Sequence, residues 1–163
     1  MQPVTDDDFP GEKKGGFCRI DSLKIVIMKL LMIYCNRFGY MPVNKTLPDF
    51  PDITEGEVFE NALVAFIQTE EADMENAKGV ETKLVKNLKW GAKKNDTKKV
   101  ILHSFAHLSE SKAEPHFTKE LFDKAEERMK NAGYDCRQTP FGYFLDIDVK
   151  APGKSQARIF KSI

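Results

Sequence analysis

Three apolar runs and two apolar stripes organise this chain. Leu30 to Tyr34 is an unbroken apolar run, as expected of a strand buried on both faces. Cys35 to Pro42 leaves that pattern, and Phe38, Gly39 and Tyr40 indicate an edge segment or hairpin arm. Residues 42–57 carry Pro42, Pro48 and Pro51 and predict a loop. Phe59 to Thr69 is the next strand, wholly apolar from Ala62 to Ile67. Ala77, Val80, Leu84, Leu88 and Ala92 then fall on one helical stripe, with lysines on the other side. Lys99 to Ser104 returns to strand, with Val100, Ile101 and Leu102 at its buried centre, and Ser109 to Pro115 is a loop.

Phe117, Leu121, Ala125, Met129 and Ala132 form the stripe of a second helix. Thr118 or Glu114 can cap its start, and Gly133 ends it in the left-handed position a glycine adopts at no cost. Tyr134 to Val149 makes one or two more strands. Leu145, Ile147 and Val149 alternate there with Phe144, Asp146 and Asp148, which predicts one buried and one wet face. Ala151-Pro152-Gly153 is a turn, and Ala157 to Ile163 a last strand. The order ββ-α-β-α-βββ predicts an α/β (α+β) fold, a mixed β-sheet with two main helices. Residues 1–27 read as an N-terminal extension, turn-rich, polar and poorly ordered, in which Ile20 to Ile27 can form a short strand or helix. Residues 28–163 are then the domain proper.

Composition narrows the classes. Lysine plus arginine equals aspartate plus glutamate, 25 against 25, so no overall field draws in nucleic acid. The balance is local instead. Acids dominate from Asp49 to Glu81, and lysines from Lys83 to Lys99. That basic face reads as solvated helix surface or as an RNA track. Trp90 lies off the apolar stripe, as a cap over the helix end or a stacking surface. Cys18, Cys35 and Cys136 are odd in number and lack metal-finger spacing, which fits a reducing compartment. No apolar run is long enough to span a bilayer, and no apolar segment follows a basic start as in a signal peptide. A cytoplasmic protein is expected.

The chemistry concentrates in His103-Ser104-Phe105-Ala106-His107-Leu108 and in Thr139-Pro140-Phe141-Gly142-Tyr143-Phe144. The first stretch follows the carboxyl end of a strand, where open α/β sheets place ligands. In the second, Pro140 removes a backbone donor and Gly142 permits close approach of a flat group. Two such edges facing each other make a slot for a ring, read by main-chain groups. His103 and His107 invite a metal reading, but zinc needs a third protein ligand. A Cys-His pair from Cys35 or Cys136 has no local signature. No cofactor or metal is expected.

FAHLS, an amphipathic helix, then PFGY resembles the archaeal-type editing domain of threonyl-tRNA synthetase, a relative by fold of the D-aminoacyl-tRNA deacylases. The likeness runs from about Met28 to the C-terminus and includes Leu63-Val64-Ala65-Phe66-Ile67. It implies removal of serine wrongly attached to threonine tRNA, with the tRNA 3′ end as partner. Main-chain groups of Ala106, His107, Phe141, Gly142 and Tyr143 would read the adenine. Three positions depart from the family. After PFGY it has tyrosine and lysine where this chain has Phe144 and Leu145, and its glutamate falls at Arg158. Phe144, Leu145 and Arg158 therefore stay in the binding set, while no catalytic residue is assigned. The chain is too short to hold a synthetase core as well. The expectation is a freestanding domain working in trans with a threonyl-tRNA synthetase, or an excised one, paired as a homodimer.

Overall fold

The computed structural model describes residues 27–163. The expectations for the N-terminal extension, including a strand or helix from Ile20 to Ile27, lie outside the described residues. Six strands and two helices occur in the expected order. They are β1 (Lys29–Lys45), β2 (Glu57–Gln68), α1 (Ala77–Lys94), β3 (Lys99–Ser104), α2 (Pro115–Asn131), β4 (Asp135–Gln138), β5 (Tyr143–Lys150) and β6 (Arg158–Ser162).

They form one mixed sheet in the order β4-β3-β2-β1-β5, with β6 also on β1. The pairs β2–β3 and β3–β4 are parallel, and the others antiparallel. Both helices lie on one face. Leu84 and Leu88 of α1 and Leu121 and Met129 of α2 bury there with Leu30, Met32, Leu63 and Leu102. Burying an aliphatic side chain of this size contributes about 1.5–3 kcal/mol, so this layer carries most of the stability. The opposite face holds a smaller cluster built on Phe38, Phe59, Val64, Phe66 and Ile101.

The structure corrects the strand reading at two places. The segment assigned to an edge or hairpin arm is instead the second half of β1, which runs unbroken for 17 residues. One edge of β1 pairs with β2, while the other pairs first with β6 and then with β5. Two short partners thus sustain one long strand, and Pro42 is accommodated where the β1–β5 register shifts. The second correction concerns β5. Ile147 and Val149 are exposed rather than buried, because they share a face with Tyr40 and Phe38 of β1, on the side that the helices do not cover.

Helix ends also differ from expectation in detail. Neither Glu114 nor Thr118 caps α2 through its side chain; Pro115 starts the helix, and the Thr118 hydroxyl donates to the Glu114 carbonyl at 3.2 Å. Ala132 is exposed at the other end. Gly133 does take the left-handed conformation (φ +87°), and the N–H groups of Gly133 and Tyr134 close the helix on Lys130 and Met129.

Candidate functional site

β2 and β3 run parallel and end side by side, at Gln68 and Ser104. Past those ends lies a cavity of about 640 Å³. One wall comes from the turn after β3. Phe105 donates its N–H to the Ile67 carbonyl at 2.9 Å, which keeps the turn against β2. Gln68 then clamps the far end of that turn. Its side-chain oxygen accepts the N–H groups of Leu108 and Ser109 at 2.6 and 2.7 Å. Its amide donates to the carbonyls of Ser109 and Ser111 at 2.9 and 2.6 Å. All four hydrogen-bonding positions of a buried amide are filled. Between these anchors, the N–H groups of Ala106 and His107 make no hydrogen bond among the described residues.

The facing wall is the PFGY stretch. Thr139 is held by its N–H to the Leu102 carbonyl at 3.0 Å, and Phe141 packs against Phe50 and Phe122. Gly142 has φ +81°, and a Cβ there would stand 2.9 Å from Leu47. Its carbonyl accepts the Thr46 N–H, the Thr46 hydroxyl and the Leu47 N–H. The glycine therefore makes room for the loop after β1, and its carbonyl is engaged by that loop. The Tyr143 hydroxyl accepts the Ile53 N–H at 2.9 Å and ties down the same loop. Phe144 is exposed, and its ring lies across from His107 at 6.5 Å.

The two motifs thus meet. Ala106, His107, Phe141, Gly142, Tyr143, Phe144 and Leu145 all line the cavity. Arg158 is not among the lining residues; it is exposed, and its guanidinium donates to the Pro152 carbonyl at 3.3 Å. Gln68, Thr69 and Lys112 line the cavity and were not singled out from the sequence. Gln68 had a visible signal, a polar residue closing a wholly apolar run.

His103 is buried with Nδ1 2.8 Å from the Thr139 hydroxyl. Burial, helped by the neighbouring His107, pushes its imidazole down to about 4, so it is neutral at physiological pH. The Phe105 ring lies 5.8 Å from His103 and 5.0 Å from His107. Among the described residues no group of three or more histidine, cysteine or acidic side chains is placed to hold a metal. Burial pushes the Cys35 thiol up to about 11 and the Cys136 thiol up to about 12. Neither lines the cavity, so neither can serve as its nucleophile. Trp90 carries the ammonium groups of Lys94 and Lys161 over its ring at 5.2 and 4.9 Å, away from this site. Among the described residues no carboxylate lines the cavity. The result is a slot with aromatic walls and main-chain donors, suited to a flat polar ligand.

A family model described as the archaea-specific editing domain of threonyl-tRNA synthetase matches residues 28–163. Among curated proteins, threonine–tRNA ligase of Hyperthermus butylicus is 32% identical over 132 residues, 77% of this chain and 21% of that protein. The ligase of Pyrococcus horikoshii is 30% identical over 139 residues, 83% of this chain and 22% of that protein. The chain thus spans about a fifth of the length of these relatives. Among solved structures, a c-Myc DNA unwinding element binding protein superposes with a TM-score of 0.62 at 8% identity. The match covers 83% of this chain and 98% of that one. The two chains therefore share this fold, a mixed sheet with two helices.

Proposed function

The chain belongs to the archaea-specific editing-domain family of threonyl-tRNA synthetase, and from that membership we propose that it removes serine from mischarged threonine tRNA, acting in trans. The observation that carries this reading is the convergence of HSFAHL and PFGY on one cavity whose main-chain N–H groups at Ala106 and His107 are unengaged among the described residues. The terminal adenosine is a flat base on a ribose ester. Its base fits between rings, where main-chain groups can read its edge. The ester carbonyl develops negative charge as water attacks, and oriented N–H donors stabilise that charge at no cost in reorganisation. The neighbouring ribose hydroxyl both donates and accepts hydrogen bonds and can assist the water. Such a step is needed because a synthetic site rejects serine only weakly. One missing methyl is worth about 1–3 kcal/mol.

Release of labelled serine from seryl-tRNA specific for threonine, measured beside threonyl- and D-aminoacyl-tRNA, tests the proposal. Faster serine release than in buffer supports it, and no release from any of the three sinks it. A second reading is favoured by Leu145 in the cavity wall and by the lack of a lining carboxylate among the described residues. In it the protein holds the 3′ adenosine without hydrolysis. A non-hydrolysable seryl-adenosine mimic that binds while all three charged tRNAs survive would select this reading. In either case the partners are the tRNA 3′ end and a threonyl-tRNA synthetase, in the cytoplasm, with no cofactor.

A further inference from the structure

Among the described residues, Lys112 is the only lysine, arginine, aspartate or glutamate that lines the cavity. Its position is built rather than incidental. On one side the Ser111 carbonyl accepts the Gln68 amide at 2.6 Å, and on the other the Ala113 N–H donates to the Thr69 carbonyl at 2.9 Å. The backbone is pinned on both sides, while the side chain is exposed. Among the described residues its ammonium has no ion-pair partner. Glu110 and Glu114 flank it in sequence, and neither lines the cavity. The first turn of α2 lies at the same rim through Pro115 and Thr118, where the helix dipole adds positive potential. Thr69 also lines the cavity, with a buried hydroxyl that has no partner among the described residues.

We propose that Lys112 binds the 5′-phosphate of the terminal nucleotide whose base and ribose occupy the cavity. The proposal rests on reading the cavity as a slot for the tRNA 3′ end. Its exposure favours the phosphate over the ester. A polynucleotide must leave the cavity through its mouth, and its last phosphate therefore lies there, where a flexible hydrated ammonium is an effective partner. Proton transfer at the ester would instead call for a desolvated amine. Arg158, the cation that the sequence placed in this set, bonds its own turn and leaves the role open.

Titrating the protein with adenosine and with adenosine 5′-monophosphate separates the possibilities. The wild type should prefer the monophosphate. Lys112→Met should weaken the monophosphate about five- to tenfold and leave adenosine unchanged, and Lys112→Arg should restore most of the difference. For a charged single strand the same change should flatten the logarithmic salt dependence by about 0.7. Unchanged adenosine binding doubles as proof that the variant is folded. If both ligands bind and Lys112→Met alters neither, or weakens both alike, the phosphate role is overturned. If neither ligand binds the wild type, the nucleotide slot itself is wrong, and the proposal falls with it.

Discussion

His103 lines the cavity with its ring fixed by the side chains around it. Its ring is buried against Phe66 and Phe105 and bonded to Thr139, so protonation would place a charge where water cannot reach it. In the unfolded chain the imidazole accepts its proton near 6.5, whereas the folded one resists until about 4. The unfolded state therefore binds more protons between those values. His103 contributes its full stabilisation above pH 6.5, and that contribution is lost as pH falls toward 4, by on the order of 3 kcal/mol. Urea unfolding from pH 7.5 to 4 should show this slope, and His103→Asn should flatten it. Proton NMR should place the ring's midpoint near 4; a midpoint near 6.5 would remove the argument. Gln68 makes the complementary point. It touches no proposed reacting atom, yet its four hydrogen bonds set the turn that carries Ala106 and His107.

Among the elements, the loop between β1 and β2 and the PFGY turn form a single unit through Gly142 and Leu47. Two glycines with the same backbone hand separate conformational strain from crowding. Gly133 and Gly142 both have positive φ, but a Cβ meets nothing within 4 Å at Gly133 and meets Leu47 at 2.9 Å at Gly142. Gly133→Ala should cost about 1 kcal/mol, from strain alone. Gly142→Ala should cost about 1–3 kcal/mol more, because Leu47 or the turn must move. Chemical denaturation of the two variants checks the order; equal losses would mean that Leu47 yields freely. The same elements mark where the sequence was readable. Periodicity placed β2, β3 and both helix stripes, because each has a face committed to the main core. It failed across Cys35 to Pro42, where a strand is held by partners distant in sequence, and at Ile147 and Val149, where alternation marks two faces without saying which is covered. The two motif walls were legible from FAHL and PFGY. Lys112 was not, because only the Gln68 and Thr69 contacts turn a loop lysine toward the cavity.

At the scale of the whole molecule, the sheet face that no described helix covers is the outstanding feature. Both helices pack on one side, so the other keeps Phe160 57% exposed, with Ile147 and Val149 also in contact with solvent. Register places them together. Phe160 pairs with Leu31, Val149 with Phe38 and Ile147 with Tyr40, and those β1 residues all belong to the second, smaller cluster. Apolar side chains set side by side on a sheet are costly to leave in water, and a second copy of the same face would cover them. Its net charge of zero puts no long-range repulsion between copies. Light scattering at tens of micromolar should therefore report a dimer. Phe160→Glu should shift it to monomer without unfolding it, since this side chain is already largely solvated in one copy. A control change on the far side of the molecule, Glu120→Lys on α2, should leave the dimer intact. A wild type that stays monomeric under these conditions would show that the face is tolerated in water, and a Phe160→Glu variant that stays dimeric would move the interface elsewhere.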